Sequence, residues 1–201
     1  LLNVLVSENP NLYIPKIIDV CQLQDLEKSL DQLLDILGNL DLIIICAGYG
    51  EINKELGFEI EFNTLQTNVA GFTKVTNWAI NLFEKQGYGH LVGITSIAGL
   101  RGNRYAPAYN ASKAYQQNYL EGLRQKTKNT NIIITDIRPG FVDTAMAKGD
   151  GLFWVSTVNK AVKQIFKAIN KRKNRVYISK RWIVIAVFLK IAPRWLYDRI
   201  S

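Results

Sequence analysis

Short β-branched, apolar runs alternate along this chain with longer stretches whose apolar positions recur every three or four residues. The runs predict strands near Tyr13–Asp19, Leu42–Ala47, His90–Ser96, Asn131–Arg138 and Arg175–Ile178. The stretches between them predict helices over roughly Gln24–Leu37, Glu59–Gln86, Tyr109–Thr127 and Ser156–Asn170. Strand alternating with helix marks βα units, so the expected fold class is α/β, a doubly wound parallel sheet with helices on both faces. The segment Leu42–Gly48, LIIICAG, is apolar on both faces, as a central covered strand requires. Gly48 and Gly50 then allow a sharp turn at its carboxyl end, where such sheets bind ligands.

No Pro-, Gly- or Ser-rich linker and no internal repeat divides the 201 residues, so a single domain over 1–201 is expected. A hydrophobic content of 48% with 21% charged residues is enough for a buried core and argues against disorder. Cys21 and Cys46 end or interrupt apolar runs, which suits small buried side chains in a reducing, cytoplasmic setting better than a disulfide. Leu1–Val6 has no basic segment before it, so a secretory leader is not expected. His90 is the only histidine, which excludes a histidine triad or multi-histidine metal site within this chain. The carboxylates Glu51, Glu55, Glu59 and Glu61 read as a solvated group near the positive end of a helix.

The net charge of +8 sits in the tail. Residues 1–170 hold 16 basic and 16 acidic side chains, whereas 171–201 hold nine basic residues against Asp198 alone. The apolar run 182–192, WIVIAVFLKIA, is far short of the about 20 residues that span a bilayer. It reads as a C-terminal helix packed on the domain or on a second subunit, or as a basic amphipathic tail lying peripherally on an anionic membrane. A nucleic-acid surface is the third use of such charge, but no reading motif accompanies it, and no nucleic-acid partner is expected.

The segment from Ser96 to Lys113, SIAGLRGNRYAPAYNASK, joins a strand end to a helix start. On a helix, Tyr109 and Lys113 share one face with Cβ atoms about 5–6 Å apart. A phenol with a reference pKa of about 10 is a poor acid or base near neutrality, and a neighbouring ammonium lowers it. Tyr109 thereby becomes a usable general acid/base, and Ser96 a donor to a substrate oxygen. Spacing alone leaves this pair common among ordinary helices.

The wider set of motifs is distinctive: ICAG at 45–48, NVAG at 68–71, GITS at 93–96, YNASK at 109–113 and RPGFVDT at 138–144. In order, spacing and placement these resemble the short-chain dehydrogenases/reductases, from about Asp19 to Thr144. The resemblance implies a Rossmann-like fold, an NAD or NADP cofactor, a small-molecule carbonyl or alcohol substrate and a homo-oligomer. By the same resemblance Tyr109 is the catalytic acid/base, Lys113 its partner and a ribose contact, Ser96 the substrate-orienting hydroxyl, and Asn68 the support of a water leading to the lysine. Asp19 and Val20 match the pair beside the adenine, and Cys46, Ala47 and Gly48 the turn after the central strand. Pro139 and Gly140 match the turn facing the nicotinamide, with Val142 and Thr144 following.

Two departures stand out. The family usually has Asn at Cys46, and a thiol is the weaker hydrogen-bonding group. Nothing before Asp19 resembles the glycine-rich turn that cradles the pyrophosphate. Leu1–Asn11 reads as a helix end and a loop; a chain starting there would have a gap in its sheet, so either an N-terminal portion missing from this sequence or an unusual pairing in place of the two strands is expected. An oxidoreductase is the first functional reading, and a non-catalytic interaction module the alternative. The Thr144–Trp154 region is expected to wall the substrate site.

Overall fold

The computed structural model describes residues 2–144, 146 and 152–200. Two helices, α1 (Leu2–Glu8) and α2 (Leu23–Leu37), precede β1 (Leu42–Ile45). The chain continues through α3 (Phe58–Leu65), α4 (Phe72–Gln86), β2 (Tyr88–Ile94), α5 (Pro107–Lys126) and β3 (Asn131–Pro139). It ends with α6 (Val158–Asn170), β4 (Arg175–Ile178), α7 (Trp182–Ile191) and α8 (Arg194–Ile200). The four strands form one parallel sheet in the order β1-β2-β3-β4. Leu42 lies opposite His90, Gly93 opposite Asp136, and Pro139 opposite Ile178.

The period-two alternation of the strands divides the core between two faces. Leu91, Ile132 and Ile134 pack with Phe72, Ala79 and Phe83 of α4 and Leu120 of α5, and α2 extends this layer with Leu26 and Leu30. Val92 and Ile137 point the other way, onto Ala161, Ala168 and Ile169 of α6. Helices therefore cover both faces, and each fully buried aliphatic or aromatic side chain contributes about 1.5–3 kcal/mol.

Three expectations are corrected. Residues 13–19 form no strand: they run without regular structure, with Ile17 97% exposed. Extended backbone joins a sheet only where a neighbour accepts its hydrogen bonds, and among the described residues none does. The four strands of the sheet are contiguous, and residues 13–19 lie outside it. The single helix expected over Glu59–Gln86 is widened by a π-helical turn at Gln66–Gly71, which separates α3 from α4. Cys46 is exposed instead of buried, because β1 ends at Ile45 and only one of its edges is paired among the described residues. His90 behaves as a structural residue, with Nε2 2.8 Å from Thr135 Oγ1.

Candidate active site

Ser96 follows the carboxyl end of β2 in extended backbone and caps a short 3-10 turn, Ile97–Leu100. Its Oγ accepts the Ala98 N–H at 3.1 Å, which leaves its own O–H free to donate. Helix α5 starts with Pro107 at its first turn, where a missing N–H costs nothing. Glu61 of α3 accepts the Ala108 N–H at 3.1 Å, so this carboxylate caps α5 and does more than face solvent. Asn110 Nδ2 donates to Ala98 O and Arg101 O, each at 2.8 Å. The register between Ser96 and Tyr109 is thereby fixed from both sides.

The Tyr109 ring lies on the backbone at Gly50, and its phenol is influenced by the Ser96 hydroxyl. Burial pushes the Tyr109 pKa up and outweighs Ser96, which favours the phenolate. Lys113 is 4% exposed, with Nζ 5.8 Å from the Tyr109 ring centroid. Nζ turns instead to Ile94 O at 3.2 Å and Gln116 Oε1 at 3.0 Å. Burial lowers the Lys113 pKa to about 8, against the opposing influence of Cys46 and Asp136. The expected lowering of the Tyr109 pKa by Lys113 is therefore absent from this arrangement, in which desolvation dominates both groups.

Asn68 lies within the π-helical turn and is fully buried. Its Oδ1 accepts the Tyr49 N–H at 2.8 Å, and its Nδ2 donates to Tyr49 O at 2.7 Å and to Ser112 Oγ at 2.9 Å. This clamp holds the loop after Gly48, a glycine that lies close to Asn68 Oδ1 and Lys113 Nζ. Cys46, Ala47 and Gly48 are exposed at the carboxyl end of β1. Pro139 ends β3, and the Gly140 N–H donates to Ile178 O at 2.6 Å. Val142 bridges to Ser156, and Thr144 is exposed. Asp19 and Val20 stand apart at the approach to α2, where Asp19 Oδ1 accepts the Cys21 N–H at 2.9 Å and Val20 packs on Gly71.

Several residues of the site escaped the sequence reading. Gln117 Nε2 donates to Ser96 O at 2.5 Å. Thr95 Oγ1 donates at 2.7 Å to Asp136, which forms a fully buried ion pair with Arg138, Nε to Oδ2 2.7 Å. Trp182 packs under Gly140 and gathers Phe141, Phe153 and Trp154, with ring centroids 5.2, 5.1 and 6.1 Å away. The helical run 182–192 thus closes one side of the Gly140 turn. Residues 145 and 147–151 of the expected substrate wall lie outside the described residues.

Parallel strands with alternating helices, and a Ser, a Tyr and a Lys gathered past their carboxyl ends, define a class that comparison with known proteins identifies. Residues 5–151 match the family model described as short chain dehydrogenase, and the chain belongs to that family. An uncharacterized oxidoreductase of Myxococcus xanthus is 30% identical over 165 residues, 80% of this chain and 65% of that protein. Sepiapterin reductase of Chlorobaculum tepidum is 30% identical over 130 residues, 64% of this chain and 53% of that protein. The chain thus spans less than two thirds of the length of these curated relatives. A short chain dehydrogenase from Burkholderia cenocepacia J2315, solved in complex with NADP, superposes with a TM-score of 0.80 at 21% identity, covering 92% of this chain and 80% of its own. One from Streptomyces avermitilis gives 0.79 at 20% identity, covering 99% and 80%. These two likenesses establish the fold.

Proposed function

We propose that the protein transfers hydride between NAD(H) or NADP(H) and a carbonyl or alcohol of a small molecule, with Tyr109 passing the proton. The observation that carries this reading is the convergence of the Ser96 hydroxyl, the Tyr109 phenol and the Lys113 ammonium past the carboxyl ends of β1 and β2, in a member of the short chain dehydrogenase family. When bound, the nicotinamide supplies or takes the hydride. The chain's own residues do the rest. Ser96, whose Oγ accepts from Ala98 N–H, can turn its O–H to the substrate oxygen. Tyr109, kept protonated by burial, gives that oxygen its proton in the reductive direction. Lys113, with a pKa of about 8, is still mainly an ammonium at neutral pH and can hold ribose hydroxyls.

The structure suits the nicotinamide half of such a cofactor. Gly48 brings the backbone of the loop close beside Lys113 Nζ and Asn68 Oδ1, since an added Cβ would touch both at 3.6 Å. In this reading Cys46, Ala47, Gly48 and Asn68 hold the loop beside the nicotinamide ribose, and Pro139, Gly140, Val142 and Thr144 face the ring and phosphates. Asp19 and Val20 border the adenine. Among the described residues no glycine-rich strand-to-helix turn offers a pyrophosphate cradle. Titration with NADPH and NADH, followed by nicotinamide fluorescence, tests the reading: saturable enhancement is expected. No binding of either cofactor at any concentration would favour the non-catalytic alternative.

Self-association and a cytoplasmic setting belong to the same reading on family grounds, and sedimentation velocity tests the first. Among the described residues no helix is long and apolar enough to cross a membrane. Helix α7 nevertheless exposes Ile183, Val184, Val187 and Ile191 along one face, with Lys180, Arg181, Lys190 and Arg194 around it. This clustering of positive charge opposes a second copy and complements anionic lipid, which supports peripheral membrane contact there. Cosedimentation with phosphatidylglycerol vesicles, lost in Val184→Asp, is the expected result; equal pelleting of both proteins would contradict it.

A further inference from the structure

Gln116 is wholly buried, one helical turn beyond Lys113 on the same face of α5. Its side chain joins two groups that α5 and the π-helical turn bring close. Oε1 accepts from Lys113 Nζ at 3.0 Å, while Nε2 donates to the main-chain carbonyl of Asn68 at 2.9 Å. The two ends of the amide are not interchangeable. A carbonyl at Asn68 accepts and an ammonium at Lys113 donates, so only one orientation of the amide satisfies both. Asn68 is itself immobilised by Tyr49 and Ser112, and Ser112 Oγ donates to Tyr109 O at 2.8 Å. The bonds close into a network that ties the loop after Gly48, the π-helical turn and the first turns of α5 to one amide.

We propose that Gln116 is the positioning residue of the site: its amide holds the Lys113 ammonium so that two of its three N–H donors are taken up by protein and the third is left for a ligand. The count follows from the contacts. Lys113 Nζ donates to Ile94 O and to Gln116 Oε1, and among the described residues no third acceptor lies within hydrogen-bond distance. A buried ammonium that lost Gln116 would both turn away from this direction and lose a charge-assisted bond. The inference rests on the functional reading above only for the nature of the ligand. That Gln116 fixes and charges Lys113 stands without it.

The titratable groups facing Lys113 are Cys46 beyond β1 and Asp136 on β3, with the Tyr109 phenol on α5 itself, and none of them is altered by a substitution at Gln116. Gln116→Met keeps the bulk and removes the acceptor, so the Lys113 pKa should fall by about one unit. Gln116→Glu puts a carboxylate at the same spot and should raise it. The direct readout is the titration of the Lys113 Cε resonance in protein labelled with ε-13C lysine, assigned by its loss in Lys113→Met. It needs no turnover, and the opposite signs of the two variants keep the test alive if one of them fails to fold. Shifts in opposite directions support the inference, and a Lys113 titration unmoved in the folded variants overturns it. The pH dependence of NADPH binding, measured alongside, separates the two levels: moved Cε titrations with no NADPH binding even in the unsubstituted protein would sink the oxidoreductase reading and leave Gln116 as the residue that positions Lys113.

Discussion

The backbone of Gly50 forms the floor of the Tyr109 ring: a Cβ built on Gly50 would fall 2.3 Å from Tyr109 Cδ2. The loop after β1 therefore sets the position of the phenol as firmly as α5 does. Gly50→Ala should leave the fold intact, since the clash is with one side chain at the rim of the sheet, yet displace the phenol by about an ångström. A loss of about 100-fold in kcat at nearly unchanged thermal midpoint is the expected outcome of steady-state assays and calorimetry. Full activity would show that the ring is free to move.

The Asp136–Arg138 pair gives a prediction about stability. Both side chains are almost fully buried, and Thr95 donates to the carboxylate from beside Ser96. Arg138→Met leaves that carboxylate without its cation, and an uncompensated buried charge costs about 3–5 kcal/mol. Urea denaturation should register a loss of this size, and a change below about 1 kcal/mol would mean that the pair is dispensable.

Lys113 couples stability to pH. Its pKa in the folded protein is about 8, against the ordinary value of 10.5. Between these values the unfolded chain binds more protons than the folded one, so this residue makes stability rise with pH across that window. Its burial penalty is fully present below about pH 8 and is relieved by pH 10.5. Lys113→Met should therefore be more stable than the parent near neutrality, by an excess that shrinks by roughly 3 kcal/mol across the window. Urea midpoints of both proteins at pH 7 and pH 10.5 check the sign. An excess that grew with pH would contradict it.

How much of this was legible in the sequence depended on the range of the interaction involved. The strand Asn131–Pro139 announces itself through a β-branched run, Arg175–Ile178 through its Val-Tyr-Ile, and α5 through its period and Pro107. Ser96, Tyr109 and Lys113 stand out as candidates in the sequence because local spacing and motif order carry them. Residues 13–19 are apolar enough for a strand, but whether they pair depends on neighbours that local pattern does not encode. The π-helical turn at Asn68 interrupts a stretch that reads as one helix, and its reason lies across the structure in Tyr49, Ser112 and Gln116. Gln116 did leave a trace: it follows Tyr109 by seven and Lys113 by three, so a polar amide recurs on the helix face that meets the sheet. Trp182 left none, because its partner Gly140 is 42 positions away in a different element.

The proton transfer assigned to Tyr109 is tested most directly by Tyr109→Phe. Phenylalanine keeps the ring on Gly50 and removes only the hydroxyl, so folding and NADPH binding should match the parent protein. Single-turnover oxidation of bound NADPH by a carbonyl substrate should slow by about 100- to 10,000-fold. Hydride transfer at the parent rate would contradict the role of Tyr109 and, with it, the chemistry assigned to this site.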